Sequence, residues 1–108
     1  MRETTVDRVL LVVELIPVGR VASYGDIGRL AGVGPRAVGW VLRHYGNEVP
    51  WWRVTTASGE SPVIDQARPH WEHEGIVVRP DGRGCRLASY RADPHQLAAD
   101  LSEADQAG

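Results

Sequence analysis

Between Ser23 and Tyr45 the chain is punctuated so closely that little besides two short helices fits. Ser23 is a natural helix N-cap, and Asp26, three residues on, is a short version of the capping-box partner. The run "YGDIGRLA" is stopped by Gly32 and Gly34, and Pro35 suits the first turn of the next helix, "PRAVGWVLRH". There Val38, Val41 and Leu42 make an inward face. Two short helices joined by a glycine turn form a helix-turn-helix pattern. Small all-helical domains pack with the same geometry, so the pattern specifies architecture before function.

The flanking segments fill in the rest. Residues 5–16, "TVDRVLLVVELI", read as a first helix capped by Thr5, with Val6, Val9, Leu10 and Val13 as its apolar stripe; Pro17 and Gly19 end it. After Asn47 a tight loop reaches Pro50, and "WRVTT" is a short extended piece. Residues 57–69 read as loop and "HWEHEG" as a brief helix, while "IVV" and "CRLASY" pair as a small wing around the turn "PDGRG". A last helix is expected from Asp93, its cap, to Ala104, with its acidic end and tail solvated. At 108 residues the chain suits one domain, 1–108, with a core over about 5–91 and an acidic C-terminal helix and tail over 93–108. The expected fold class is α+β, mostly helical and winged-helix-like, with a helix-turn-helix and a small β wing.

Several function classes fall away. No apolar run is long enough to cross a bilayer, and "VLLVVELI" lacks the pattern of a cleaved leader. The one cysteine, Cys85, allows no internal disulfide, which makes a cytoplasmic location the default expectation. Cys85 sits on an expected strand without a sequence-local base, the setting of a packed thiol more than of a nucleophile. His70 and His73, with Glu72 and Glu74 beside them, lack a clear third ligand for a metal. No glycine loop has phosphate-cradling spacing. No catalytic residue, metal or cofactor is expected.

Charge points elsewhere. The formal net charge is −2, yet residues 20–53 carry Arg20, Arg29, Arg36, Arg43 and Arg53 against only Asp26 and Glu48. A locally basic stretch on a mildly acidic chain fits a nucleic-acid face. Arg36, Trp40 and Arg43 share one stripe of the second helix, whose start is stripped of bulk by Gly32, Gly34, Pro35 and Ala37, with Gly39 further on. Such a helix approaches a crowded surface closely, as a minor groove about 6 Å wide demands. It offers almost no side chains for reading base edges in the major groove. A winged-helix transcription regulator, dimeric on a palindromic site, is the alternative.

The string "SYGDIGRLAG…PRAVGWVLRHYGNEVPWWRV" resembles the DNA-binding domain of the O6-alkylguanine-DNA alkyltransferases over roughly residues 5–90. In that family an Arg-Ala-Val-Gly helix and an asparagine turn precede a Pro-Cys-His-Arg-Val motif. Here the run is Pro50-Trp51-Trp52-Arg53-Val54, so Trp51 replaces the acceptor cysteine and Trp52 the adjacent histidine. That replacement marks the alkyltransferase-like proteins, which recognise alkylated guanine without repairing it. An indole is no substitute for a thiolate in alkyl transfer.

The resemblance implies a sensor that docks in the minor groove of duplex DNA, flips O6-alkylguanine out of the stack and flags it for nucleotide excision repair. Repair proteins would be its partners; a monomer without membrane contact is expected. By the same resemblance Arg36 is the finger that fills the emptied stack, and Tyr24 presses on the neighbouring phosphate. Asn47 is the hinge between helix and pocket loop, and the Trp51 and Val54 carbonyls receive the guanine amino group. Glu74 matches the relay glutamate. From the residues alone, Tyr24 also fits core packing, Arg36 a phosphate contact and Asn47 an αL turn. Trp40 fits packing or DNA contact, and Trp52 either lines the pocket or backs it. The expected DNA face is Tyr24, Arg36, Ala37, Trp40 and Arg43. The expected lesion pocket is Tyr24, Trp51, Trp52 and Val54, with Arg68 as the nearest basic side chain for its loop.

Overall fold

The computed structural model describes residues 3–107. Its elements run α1 (Glu3–Leu15), β1 (Ala22–Ser23), α2 (Tyr24–Ala31), α3 (Pro35–Tyr45), two 3-10 turns (Gly46–Glu48 and Trp51–Arg53), β2 (Val54–Thr55), α4 (Ile64–Glu74), α5 (Leu87–Tyr90) and α6 (Pro94–Ala107). Helix α1 starts at Glu3, so Thr5 lies within it and is not its cap. Its buried stripe, Val9, Val12 and Val13, with Ile16 just beyond its end, packs with Ile27 of α2 and Val38 and Val41 of α3.

The helix-turn-helix forms as its punctuation predicts. The Asp26 amide donates to Ser23 Oγ at 3.0 Å and the Ser23 amide to Asp26 Oδ2 at 3.3 Å, a complete capping box. Gly32 closes α2 in the left-handed region at φ 78°. Gly28 lets the turn fold back, because a Cβ there would overlap the Val33 carbonyl.

The sheet is not the expected wing. Its two strands are β1 and β2, parallel, with Ala22 opposite Val54 and Ser23 opposite Thr55. On the other side of the same connector, Val21 exchanges backbone hydrogen bonds with Tyr90 and Ala92, each at 2.8 Å. The turn at Gly82 does form, but the following segment crosses residues 59–61 instead of pairing with 76–78: the Cys85 amide donates to the Gly59 carbonyl at 3.0 Å and the Ser61 amide to the Arg83 carbonyl at 3.1 Å. This crossing requires Gly84, where a Cβ would collide with Gly59, and Leu87–Tyr90 then coil into α5.

Helices α4 and α6 run well beyond their expected bounds. Helix α4 begins at Ile64 and carries Pro69 in its interior, so part of the segment read as loop is helical. Proline deprives the helix of one amide, but Ala67 and Trp71, four apart and fully buried, anchor the face around it. Helix α6 continues to Ala107; Leu97 and Leu101 join the core, and Arg8 pairs with Asp105 at 3.1 Å. Asp93 caps it, accepting from the His95 amide at 2.8 Å.

Candidate nucleic-acid interface

The parallel pairing of β1 with β2 sets the start of α2 beside the turn that bears the double tryptophan. Between them and α3 opens a cleft of about 890 Å³, within the range of small-ligand sites. It is lined by Tyr24, by Arg36, Gly39, Trp40 and Arg43 of α3, by Trp51 and the buried Val54, and by Pro62, Val63 and Gln66. Asn47 also borders it, exposed within a 3-10 turn. Among the described residues no side-chain-bearing position has positive φ, so Asn47 is not an αL turn residue.

Arg36 and Arg43 are exposed and, among the described residues, pair with no carboxylate. Arg29 and Arg53, counted with them in the basic stretch, are instead held by Asp26 and Glu74, both at 2.7 Å. Burial pushes the Tyr24 phenol above its ordinary 10.0, opposed by the charge of Arg43. Trp40 both packs on the core and lines the cleft, its ring stacked on His44 with centroids 4.3 Å apart. Ala37 is half-buried on the same helix and does not line the cleft.

The two adjacent indoles separate. Trp51 lines the cleft; Trp52 does not, and backs it. The Trp52 ring stacks on His70 at 3.9 Å and 8°, meets Trp51 edge-on at 86°, and donates Nε1–H to Glu74 Oε2 at 2.7 Å. Trp71 Nε1–H holds the Trp52 carbonyl at 2.6 Å. The placement of Trp52 in the pocket wall is therefore corrected: its polar edge is bound inward, so it supports Trp51 from behind.

Glu74 gathers this support. Its carboxylate also accepts from Arg53 Nε and Nη2, at 2.9 and 2.7 Å, and from the Gly19 amide at 2.9 Å, while Arg53 Nη1 donates to the Ile16 carbonyl at 2.9 Å. Burial alone would raise its pKa, but donors led by Arg53 overcome that and hold it at about 2. The end of α1, the tryptophan turn and α4 thus meet on one carboxylate.

Arg68 does not line the cleft; its guanidinium lies 3.4 Å from the Gly82 carbonyl. Gln66, with Pro62 and Val63, does line it, and sequence misses it because the segment reads as loop where α4 forms. The i, i+4 pair Ala67 and Trp71 was the available signal, since it fixes the phase of α4. Cys85 is fully buried outside the cleft lining, and burial pushes its thiol above the ordinary value.

Residues 4–76 match the family model described as the 6-O-methylguanine DNA methyltransferase, DNA binding domain. The chain is similar to the DNA base-flipping protein of Vibrio parahaemolyticus, 32% identical over 95 residues, covering 81% of this chain and 94% of the relative. The DNA base-flipping protein of Escherichia coli is 38% identical over 85 residues, covering 70% of this chain; the match spans 65% of that relative's length. Among solved structures, S. pombe Atl1 in complex with damaged DNA containing O6-carboxymethylguanine aligns with a TM-score of 0.77 at 28% identity, over 87% of this chain and 100% of that one. A structure of S. pombe ATL with DNA aligns at 0.72 and 30% identity, over the same shares of 87% and 100%.

Proposed function

Because the chain belongs to the family of the 6-O-methylguanine DNA methyltransferase DNA-binding domain, and within it to the alkyltransferase-like proteins, we propose that it is a non-enzymatic sensor of O6-alkylguanine in duplex DNA. The observation that carries this reading is Trp51, an indole inside a cleft bordered by α3 where the resemblance implies an acceptor cysteine. In the proposed complex the small-residue start of α3 enters the minor groove and Arg36 fills the stack vacated by the flipped nucleotide. Extrusion costs a few kcal/mol, least for a damaged base, which favours the lesion over guanine. The Trp51 carbonyl already accepts the Val54 amide and retains a second lone pair for the guanine amino group.

With neither thiolate nor base at this position, the alkyl group stays on the DNA. The persistent complex then flags the lesion for nucleotide excision repair. The test is titration into duplexes that differ only in guanine or O6-methylguanine at one position, with mass analysis of protein and DNA afterwards. Tighter binding of the methylated duplex with both masses unchanged is the expected result. Equal affinities sink the lesion reading, and a methyl adduct on the protein sinks its non-enzymatic form. The repair handoff is tested by lesion-strand incision in a reconstituted excision system, which the protein should stimulate.

A further inference from the structure

Trp51 stands beside a stack of two other rings. Trp52 and His70 lie within 8° of parallel, their centroids 3.9 Å apart. Trp51 meets both nearly at right angles, at 86° and 5.6 Å from Trp52 and at 79° and 5.4 Å from His70. Both contacts have the geometry of favourable edge-to-face pairs. The indole that lines the cleft is thus nearly equidistant from the two stacked rings and is held by both.

His70 and Glu74 are four apart on α4 and so lie on the same side of that helix. Both reach Trp52, the imidazole over its ring face and the carboxylate at its Nε1–H, 2.7 Å away. Helix α4 itself is anchored by the fully buried Ala67 and Trp71. The half-buried His70 is not among the residues that line the cleft, whereas Trp51 is. Any influence of the imidazole on a bound base therefore passes through Trp51.

We infer that His70 is a positioning residue for the lesion pocket: stacked on Trp52, its ring holds Trp51 at the angle that receives the flipped O6-alkylguanine. The inference rests on the lesion-sensor reading above. A leucine at this position fills much of the same space but has no flat face to stack. Phenylalanine keeps the stack.

The test measures preference, the ratio of affinities for duplexes carrying O6-methylguanine or guanine at one position. His70→Leu should lower that preference about fivefold, the scale of one aromatic pair, and His70→Phe should restore it. In a Trp51→Leu background, His70→Leu should cause no further loss, because the two residues act as one unit. A merely structural role would weaken both duplexes alike and leave the ratio where it was. Urea unfolding establishes that each variant folds; if His70→Leu does not, His70→Gln, compatible with a half-exposed helix position, takes its place. An unchanged ratio in the folded variant, failure of His70→Phe to restore it, or an undiminished loss in the Trp51→Leu background overturns the inference. Each of these leaves the sensor reading standing, provided that the wild-type chain prefers the methylated duplex. Equal affinity of the wild-type chain for both duplexes overturns both.

Discussion

Residues 3–45 and 46–91 reach a fixed structure by different means. In the first segment, three helices bond their own backbones and meet on aliphatic side chains: Val9, Val12, Val13, Ile27, Val38 and Val41 are fully buried. In the second, side chains meet many of the backbone groups. Trp71 holds the Trp52 carbonyl, Arg53 the Ile16 carbonyl, and Arg79 Nη1 the Ser58 and Cys85 carbonyls at 2.6 and 3.2 Å. The cleft lies along the seam, with one wall fixed by aliphatic packing and the tryptophan turn fixed by a polar network around Glu74. Breaking the network should therefore move Trp51 while sparing α3.

The largest effect is expected from Glu74→Ala. It leaves the Arg53 guanidinium, 11% exposed, without its carboxylate, and removal of one partner from a buried pair typically costs about 3–5 kcal/mol. Urea unfolding measures the loss; one below about 1 kcal/mol would mean that the second segment stands on aromatic packing alone. Lesion binding should fall with stability here, because the backing of Trp51 is lost.

Acid provides a milder version of the same cut. The folded Glu74 carboxyl titrates at about 2 against an ordinary 4.5, so the unfolded chain takes up the proton first as pH falls. Its contribution is complete above the ordinary value and is lost as pH drops through the folded one. By linkage it is worth roughly 3 kcal/mol. Asp26 also titrates low: burial opposes ionisation, and hydrogen bonds from Arg91 and the Ser23 amide overcome it. Unfolding free energy measured down the acid range should fall in the wild type and fall less in Glu74→Gln. Equal slopes for both would assign the acid sensitivity to Asp26 and the helical segment.

The same contrast explains what was legible in sequence. Helix-turn-helix, capping box and the α3 stripe are local patterns, and Ser23, Asp26, Gly32 and Pro35 announce them. The second segment depends on meetings between residues far apart in the chain. Glu74 bonds to Gly19 and Trp52, which no periodicity connects. Pro69 hid half of α4 because proline normally ends helices, and the burial of Ala67 and Trp71 overrides that preference. The wing failed because Gly59 and Gly84 allow a closer crossing than a hairpin offers. Trp51 was readable as a cleft residue from the resemblance, but the role of Trp52 depended on where its indole N–H finds an acceptor. Gln66 was invisible until α4 had a phase.

On the α3 wall the expected effect is on binding alone. Arg36→Ala should weaken binding to an O6-methylguanine duplex by about 2 kcal/mol, roughly thirtyfold, as for an interface hot spot. Because Arg36 is exposed and pairs with no carboxylate among the described residues, unfolding should shift by no more than about 0.5 kcal/mol. Arg68→Ala, directed away from the cleft, should leave the preference for lesion over guanine unchanged. Fluorescence anisotropy on both duplexes separates the two variants. Equal losses for them would mean that both arginines act only as phosphate contacts.

Ser23→Ala makes the smallest and most diagnostic cut, because Ser23 lies in the first region and is paired with the second. It caps α2 and, in β1, lies opposite Thr55. Losing an N-cap costs about 1 kcal/mol. The backbone pairing with Thr55 survives the substitution, and Asp26 keeps Arg91 at 2.6 Å and Arg29 at 2.7 Å. The start of α2, and with it Tyr24, should therefore stay in place. Urea unfolding should show a loss of about 1 kcal/mol with lesion affinity unchanged. If affinity falls in proportion, the capping hydroxyl positions Tyr24 at the cleft, and the seam depends on one side chain as well as on the strand pair.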